Sequence, residues 1–222
     1  MRLIVTFFAA VTLLASAGCA WFGDKQQERP AAELIRDGVA AFEDGKYQES
    51  IKHFEQLKDW YPFSKYAILA ELKIGDANYH LANYAEAIAA YEEFEQLHPR
   101  NEAIPYVIYQ IGRCYYEQTD TIDRDQTTAK KAVEVFQRLA QSYPESPYTR
   151  QSQSHILNCY KQLAGHEFYV ATFYYNNKRT KAALQRFNAV VSKYPDVGYH
   201  HQAMQYIAMC EARIAAEKAS KE

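Results

Sequence analysis

The sequence predicts an all-α protein, a solenoid of stacked helical hairpins with about ten helices in five repeats. The first observation is a set of landmark residues: the spacing seen in residues 47–62 returns three more times. Its closing proline, Pro62, is matched by Pro99, Pro144 and Pro195, at steps of 37, 45 and 51 residues. The second observation is the composition, in which 48% of residues are hydrophobic while only 8 are glycine and 7 are proline. That balance suits helices around a continuous core and argues against a disordered or all-β chain.

The first 18 residues predict a secretory signal. Arg2 supplies a positive charge, and the apolar run of residues 3–15 is shorter than the roughly 20 residues that a helix needs to cross a bilayer. Residues 16–19, SAGC, resemble the lipobox of bacterial lipoproteins, which is cleaved before a cysteine that carries diacylglycerol and an acyl chain. The resemblance implies that Cys19 becomes a lipid anchor. Ser16 stands where the lipobox usually has leucine, and the alternative is ordinary signal cleavage that leaves a plain thiol.

Further boundaries follow from composition. Residues 19–30 form a short and mostly polar segment, and we expect a flexible tether there. The solenoid should begin near Ala31. Repeats 1–3 then occupy residues 31–144, repeats 4–5 occupy residues 145–218, and residues 219–222 are a charged, frayed end.

Charge and motifs exclude several classes of function. The chain has 25 Lys plus Arg against 27 Asp plus Glu, so there is no basic excess to neutralise the phosphates of a nucleic acid. The sequence shows no phosphate-cradling glycine loop and no nucleophile elbow. His166 and Glu167 begin a pattern like that of zinc proteases, but its second histidine position is Val170. We therefore predict no enzyme, no metal site and no cofactor beyond the lipid on Cys19, and function must come from surfaces.

The first hairpin is read from apolar spacing. A stripe from Leu34 to Phe42 follows one face of a helix, and residues 44–45, Asp-Gly, interrupt it. The second helix runs from Tyr47 and stops before Pro62, whose ring would remove a hydrogen bond and clash with the preceding turn.

Three glycines keep the register of the hairpins. Gly38, Gly75 and Gly112 recur every 37 residues in the middle of a predicted first helix. Glycine there costs roughly 1 kcal/mol relative to alanine. We interpret these glycines as packing positions, where a side chain would keep the two helices of a hairpin from touching. The order of small, small, aromatic and proline residues resembles the tetratricopeptide repeat, whose usual length is about 34 residues, and the longer units here imply longer turns.

The third hairpin holds extra residues, because the glycines keep their step of 37 while the prolines jump by 45. The candidate is segment 117–128, which contains Asp120, Asp123 and Asp125. Three aspartates invite a calcium interpretation, but the glycine and the terminal glutamate of a calcium loop are missing. We expect instead a solvated loop that packs back on its own hairpin.

Helical segments also account for the rest of the chain. After Pro144 we predict them at residues 148–163, 166–176, 180–194 and 199–218. Their pairing stays open: by its landmarks the third is the second helix of a hairpin, whereas counting helices two by two makes it a first.

The cysteines besides Cys19 are Cys114, Cys159 and Cys210, an odd number. All three lie in helical patterns. We expect small buried side chains rather than a disulfide plus a free thiol.

Several strings are more specific than the repeat itself. They are WYPFSKYA at 60–67, HP at 98–99, YVIYQIG at 106–112, DRDQ at 123–126, YPESPY at 143–148 and HEFYVATFYY at 166–175. Together with the lipobox, they resemble the BamD family, the tetratricopeptide-repeat lipoproteins of the outer-membrane β-barrel assembly machinery. The resemblance covers nearly the whole chain after Cys19. YPFS and DRDQ are its most discriminating parts, because ordinary tetratricopeptide proteins need neither.

This resemblance implies a periplasmic adaptor, held on the inner leaflet of the outer membrane by Cys19. It implies binding to the periplasmic domains of the barrel-forming subunit, BamA, with other lipoproteins of the machinery as further candidate partners. The amino-terminal repeats would receive the carboxy-terminal signal of unfolded outer-membrane proteins, which ends in alternating aromatic and apolar residues. The carboxy-terminal repeats would hold the machinery.

The 19 Tyr and 11 Phe provide candidates for the signal groove, since tyrosine combines an apolar body with a polar tip. On this resemblance, the residues expected near the signal are Trp60, Tyr61, Phe63, Tyr66, Tyr79, Tyr84 and Tyr109. The alternative for each is a place in a seam between helices. Arg186 and Lys193 are candidates for pairing with carboxylates on the barrel subunit, and the alternative for both is an ordinary solvated charge.

Two other functions stay open at this point. One is a periplasmic scaffold of the cell envelope that coordinates division or peptidoglycan without barrel clients. Such a scaffold would lack a lipid anchor. The other is a soluble peptide-binding chaperone, whose activity would not depend on Cys19.

Overall fold

The computed structural model describes residues 29–220, and these form helices without strands, as the sequence predicts. The predicted signal segment, Cys19 and most of the tether lie outside the described residues. The helices are α1 (Ala31–Glu43), α2 (Tyr47–Trp60), α3 (Ala67–His80), α4 (Tyr84–Leu97), α5 (Ile104–Glu117), α6 (Thr127–Ser142), α7 (Pro147–Asn176), α8 (Thr180–Lys193) and α9 (His200–Ala219).

Each helix packs on the next one in the chain, so the architecture is the predicted stack of hairpins. Helix α1 also contacts α3, and α5 contacts α7. The first helices of successive hairpins therefore lie side by side along one face of the stack. The second helices α2, α4 and α6 form the other face, where Lys58 pairs with Glu93 at 2.8 Å and Arg138 pairs with Glu95.

The two segments expected at 148–163 and 166–176 are one helix, which corrects the expected number of helices. Helix α7 runs through 30 residues, about 45 Å at 1.5 Å per residue. Ser146 caps it by accepting from the amide of Tyr148 at 3.2 Å, and Pro147 occupies the first turn, where its missing N–H costs nothing. Gly165 stands between the two predicted segments but does not break the helix, because glycine weakens a helix without clashing with it.

The continuity of α7 settles how α8 pairs. The α7–α8 turn places Lys178 at a φ of 60°, and the α1–α2 and α3–α4 turns have Gly45 at 75° and Ala82 at 58° in the same place. All three turns close with the same bond, such as the amide of Arg179 to the carbonyl of Tyr174 at 2.9 Å. Helix α8 is therefore the second helix of a hairpin whose first helix is the carboxy-terminal half of α7.

The buried side chains form three clusters along the stack. One joins α1, α2 and the start of α3, a second runs from α4 to Leu163 of α7, and a third runs from Ala164 through α8 and α9. The second and third clusters thus meet inside a single helix, which makes α7 the rigid connection between them.

The recurring glycines are packing positions, as predicted. A Cβ on Gly38 would lie 2.5 Å from the ring of Phe54, and one on Gly75 would lie 2.6 Å from the ring of Tyr91. At Gly112 the same atom would collide with the ring of Phe136. Each aromatic ring is fully buried and fills the space that its glycine leaves open.

The loop between α5 and α6 is solvated and packs on its own hairpin, where the Thr128 hydroxyl donates to the carbonyl of Gln118 at 3.2 Å, and also on α7. His166 Nδ1 lies 2.7 Å from the carbonyl oxygen of Ile122, and Gln162 donates to the carbonyl of Asp120. The buried side chain of Gln126 donates to the carbonyls of Thr121 and Arg124 at 3.0 and 2.9 Å. These contacts hold the loop in shape against α7. They account for the DRDQ string in the sequence.

Two aspartates of the loop accept hydrogen bonds from threonines in or next to the loop. Asp123 accepts from the hydroxyl of Thr121 at 2.5 Å, and Asp125 accepts from the amide of Thr127 at 2.8 Å. The hydrogen bond from the Thr121 side chain is the main cause that lowers the pKa of Asp123, and a hydrogen bond from the Thr127 side chain, followed by that from its amide, lowers the pKa of Asp125.

Cys114, Cys159 and Cys210 are free and buried, as predicted. Burial raises the pKa of Cys114 to about 12 and that of Cys159 to about 11. These thiols are therefore protonated, apolar packing groups at neutral pH.

Candidate peptide-binding and docking surfaces

Four of the predicted signal-binding residues surround the turn between α2 and α3, which we call the α2–α3 corner (residues 60–69). Phe63 is 100% exposed, whereas Trp60, Tyr61 and Tyr66 are half-buried against the first core cluster. The hydroxyl of Tyr61 donates to the carbonyl of Arg29 at 3.0 Å. The corner is thus a fixed base of aromatic side chains from which Phe63 projects into solvent.

The first turn of α3 extends this apolar surface. Ile68 and Leu69 are 40% and 41% exposed, large values for aliphatic side chains inside a helix. The Lys65 ammonium lies 5.0 Å from the centre of the Tyr66 ring, which adds a positive charge at the edge of the patch. An exposed apolar patch with a polar rim is typical of an interaction surface.

Two more predicted residues lie at the far end of α3. The rings of Tyr79 and Tyr84 meet edge to face at 5.7 Å, and the Arg113 guanidinium lies 4.6 Å from the centre of the Tyr79 ring. Arg113 donates to the Tyr79 hydroxyl, which in turn donates to Glu117 at 3.1 Å. Tyr66 and Tyr79 are separated by 13 helical residues, or about 20 Å along the axis. The predicted residues therefore form two groups rather than one.

Tyr109 belongs to neither group. Its side chain is only 8% exposed, and its ring packs near Phe136, Tyr148 and His155. The Tyr109 hydroxyl lies 3.3 Å from His155 Nε2. The structure thus places Tyr109 in the seam between α5, α6 and α7, the alternative left open for each aromatic residue.

A polar network that the sequence did not reveal lies between the two aromatic groups. The buried carboxylate of Asp76 accepts from the hydroxyls of Tyr91 and Tyr106 at 2.8 and 2.7 Å, and from Lys73 at 2.8 Å. Gln110 donates to the Tyr106 hydroxyl at 3.0 Å. Burial, with the nearby Asp76 carboxylate, raises the pKa of both tyrosines, so both hydroxyls stay protonated donors. In the sequence, the one signal of this network is Asp76 itself, an aspartate directly after Gly75, the packing glycine of α3.

The predicted docking residues lie on α8. The Arg186 guanidinium pairs with Glu167 of α7, with Nη1 at 2.9 and 3.2 Å from the two carboxylate oxygens, and these bonds raise the pKa of Arg186. Lys193 is exposed in the last turn of α8 and makes no ion pair within residues 29–220. Seven residues separate the two, so both project from the same side of the helix.

The sequence pattern also did not reveal several exposed apolar side chains on the last helices. Tyr169 and Phe173 are 49% and 59% exposed and stand one turn apart on α7, and Met204 and Met209 of α9 are 54% and 49% exposed. In the sequence they look like core residues of helical stripes. Only the packing of neighbouring helices shows which face stays open.

The described chain contains neither a cluster of three or more His, Cys, Asp or Glu side chains placed to hold a metal ion nor a helix with the length and apolarity of a membrane span.

A family model and the curated relatives described below each match most of the length of this chain. A family model described as outer membrane lipoprotein, YfiO, matches residues 27–222. A relative from Caulobacter vibrioides, named outer membrane protein assembly factor BamD, is 30% identical over 207 residues, which cover 91% of this chain and 68% of the relative. A protein of the same name from Pasteurella multocida is 28% identical over 92% of this chain and 82% of its own length.

Among solved structures, a thermophilic TPR protein from Thermus thermophilus matches with a TM-score of 0.45 and 15% identity, covering 81% of this chain and 100% of that one. The match of the family model to residues 27–222 reaches well beyond half of the chain. This chain therefore belongs to the YfiO family of outer membrane lipoproteins.

Proposed function

We propose that this chain is an outer membrane protein assembly factor that acts as an adaptor. In this proposal Cys19 carries the lipid anchor and the helices face the periplasm. One part of the stack binds the carboxy-terminal signal of unfolded outer-membrane proteins, and another part binds the BamA-like barrel subunit. Membership of the YfiO family and the shared name of the relatives support the general role. The exposure and contacts of the described side chains support the binding surfaces.

The observation that carries the signal-binding proposal is the arrangement of aromatic groups along α3. An extended strand rises about 3.3 Å per residue, so roughly six residues would span the 20 Å between the two groups. Such a strand would place one apolar side chain on Phe63 and Leu69 and another near Tyr79. The ammonium of Lys73, between the groups, pairs with Asp76 at 2.8 Å while its side chain stays 29% exposed, and in this proposal its remaining donors meet a carbonyl of the strand. This is recognition of an extended peptide by pockets for alternate side chains and polar tips for the backbone.

Replacing Phe63 with alanine should weaken binding of a peptide with the carboxy-terminal sequence of an outer-membrane barrel protein by about tenfold or more, because an exposed aromatic anchor is lost. Phe63 is fully exposed, so its removal should leave the unfolding temperature unchanged. The measurement is a titration followed by fluorescence anisotropy of a labelled peptide.

The matched control for Phe63 is Leu157→Ala. Leu157 is a large apolar residue that is 55% exposed on α7, outside the proposed groove. Its removal should leave peptide affinity unchanged. If Phe63→Ala binds the peptide as tightly as the unaltered chain, the α2–α3 corner is not the signal site.

Reversing the charge of Arg186 tests the docking proposal. Arg186→Glu should weaken recovery of the barrel subunit from solubilised outer membrane by about tenfold, if this guanidinium meets a carboxylate of the partner. The same change also places two carboxylates together in the chain, because Glu167 is the present partner of Arg186. Structural damage must therefore be separated from lost docking.

The double variant Arg186→Glu, Glu167→Arg separates the two effects. It restores an ion pair within the chain but keeps the reversed charge on α8. We expect normal thermal stability and persistent loss of docking. Recovery of docking in the double variant would mean that Arg186 acts only by stabilising the α7–α8 hairpin. Lys52→Glu, on an exposed position of α2, is the control for a change in net charge.

Depleting the protein from cells should lower the amount of folded outer-membrane barrel proteins. Supplying the Cys19→Ser variant at normal abundance should fail to restore them, since the proposed role needs the membrane address. Quantitative blotting of heat-modifiable barrel proteins measures both. Unchanged barrel levels on depletion would favour a scaffold without barrel clients, and full rescue by Cys19→Ser would favour a soluble chaperone.

A further inference from the structure

The tether joins the helices beside the α2–α3 corner. Arg29 is the first described residue, and its carbonyl oxygen accepts a hydrogen bond from the hydroxyl of Tyr61 at 3.0 Å. The side chain of Arg29 is held as well, because its guanidinium donates to Glu33 at 2.8 Å and pairs with Asp37. The point from which residues 19–28 extend is therefore fixed by bonds to both α1 and the corner.

The corner presents apolar side chains that no other part of residues 29–220 covers. Phe63 is 100% exposed, and Ile68 and Leu69 of α3 are 40% and 41% exposed. Covering apolar surface is favourable by about 25 cal/mol per Å². The patch is therefore suited to receive apolar side chains from another segment.

The tether supplies side chains of this kind. Trp21 and Phe22 are its large apolar residues, and residues 24–28, DKQQE, are polar. Aromatic side chains of this size bury about 150–250 Å² each when they are covered. An apolar pair is thus joined through a short polar spacer to a residue that is fixed beside an exposed apolar patch.

The spacer is long enough for the pair to return to the corner. A fully extended chain spans about 3.3–3.6 Å per residue, so Phe22, seven residues before Arg29, can lie up to about 23–25 Å from it. Tyr61, which is bonded to Arg29, and Phe63 are two residues apart, or at most about 8 Å between their Cα atoms. A segment on so short a linker has an effective concentration of about 1 mM at the patch.

We propose that Trp21 and Phe22 dock on the apolar patch formed by Phe63, Ile68 and Leu69. The inference rests on the proposed function in one respect, because Phe63 is also the proposed anchor for the client signal. Tether and client then compete for one surface. The tether covers the patch in the protein without a client, and a client that binds there displaces it.

The chain contains two tryptophans, Trp21 and Trp60, so fluorine NMR can follow docking directly. The test uses the chain from residue 19 with Cys19→Ser, labelled with 5-fluorotryptophan, and Trp21→Phe assigns the resonance. We expect the Trp21 resonance to differ from that of a labelled peptide of residues 19–28 with the same Cys19→Ser change. In Phe63→Ala it should move to the position of the peptide.

The control for this measurement is Leu157→Ala, an exposed apolar position on α7, which should leave the Trp21 resonance in place. Phe63 is fully exposed, so its replacement should move the resonance without unfolding the chain. A Trp21 resonance that already coincides with that of the peptide in the unaltered chain, or that Phe63→Ala does not move, would overturn the proposal.

Competition is tested with the carboxy-terminal peptide of a barrel protein. Replacing both Trp21 and Phe22 with serine should strengthen peptide binding by about two- to fourfold, the effect of removing a competitor whose Kd is close to its effective concentration. Replacing Gln26 and Gln27 with serine is the matched change in the same tether and should leave affinity unchanged. Equal affinity in the two variants would overturn the competition. If the peptide binds no variant, the signal-binding proposal fails, and the Trp21 resonance still decides docking.

The bilayer is the other surface that could take Trp21 and Phe22, since aromatic side chains favour membrane interfaces and a lipid on Cys19 would bring them close to one. The same resonance, measured on the lipidated chain in lipid nanodiscs, distinguishes the two. A shift on Phe63→Ala supports docking on the corner. A resonance that the variant does not move assigns the pair to the lipid and overturns the proposal for the anchored protein.

Discussion

Replacing Gly112 with alanine should destabilise the protein by about 1–3 kcal/mol, the usual cost of forcing a methyl group into a well-packed core. The new Cβ would collide with the ring of Phe136, which is fully buried between α5 and its neighbours. Helices α5 and α6 cannot move apart freely to make room for the new methyl group, because α5 packs on α4, α6 and α7. In an exposed helix the same change would stabilise by roughly 1 kcal/mol, so the sign of the effect is diagnostic. Urea unfolding followed by circular dichroism measures it.

The control for Gly112→Ala is a variant with a smaller side chain in place of Phe136, the residue that the new Cβ would touch. Phe136→Leu alone leaves a cavity and should also be destabilising. Combined with Gly112→Ala, the added methyl occupies part of that space, so the double variant should lose less stability than the sum of the two single variants. Additive losses would mean that the glycine is needed for some reason other than contact with Phe136.

Replacing Asp76 with alanine should cost about 3 kcal/mol, near the upper end for a buried hydrogen-bonded group. The change removes the acceptor of two tyrosine hydroxyls and the partner of Lys73. The Tyr91 side chain is fully buried, so its hydroxyl cannot turn to water. Lys73 is 29% exposed and recovers part of its solvation, which limits the loss. Thermal unfolding monitored by circular dichroism gives the change in stability.

Removing the Tyr91 hydroxyl, the donor that loses its acceptor in Asp76→Ala, tests this explanation. Tyr91→Phe alone should cost about 1 kcal/mol, because Asp76 keeps Tyr106 and Lys73 as partners. Combined with Asp76→Ala, the same change should recover stability, since the buried hydroxyl that lost its acceptor and kept only the donor Gln110, at 3.5 Å, is gone. If the double variant is less stable than Asp76→Ala alone, the Tyr91 hydroxyl is not the source of the loss.

The network at Asp76 also bears on the proposed groove. It joins α3, α4 and α5, so it holds Tyr84 of α4 and Arg113 of α5 in place beside Tyr79 of α3. We expect Asp76→Ala to weaken signal-peptide binding as well as stability, in contrast to Phe63→Ala, which should affect binding alone. The contrast distinguishes a residue that shapes the groove from one that contacts the peptide.

Much of the fold was predictable, because the repeat constrains each unit in the same way. Gly38 and Gly75 were identified as packing positions from their spacing alone, and the rings of Phe54 and Tyr91 fill the predicted gaps. The ends of α2 and α4 followed from Pro62 and Pro99. Such local rules apply wherever the same residues recur, which is why the first three hairpins were placed correctly.

The candidate surfaces were only partly predictable, because exposure depends on which helix packs on which face. Phe63 and Tyr109 were equally good candidates in the sequence, yet one is fully exposed and the other is 8% exposed. The segment at residues 117–128 was expected to pack on its own hairpin, and it does, but α7 continues past Leu163 and adds Gln162 and His166 as partners that no local pattern showed.

The sequence by itself determined the period, the helices, the glycine and aromatic pairs and the family, because these depend on residue order and on contacts within one hairpin. Only the tertiary structure decided that α7 is continuous, that Asp76 gathers donors from three helices, and that Phe63 is exposed while Tyr109 is buried. The physical reason is that burial and hydrogen-bond satisfaction arise between elements far apart in the chain, and no local pattern records them.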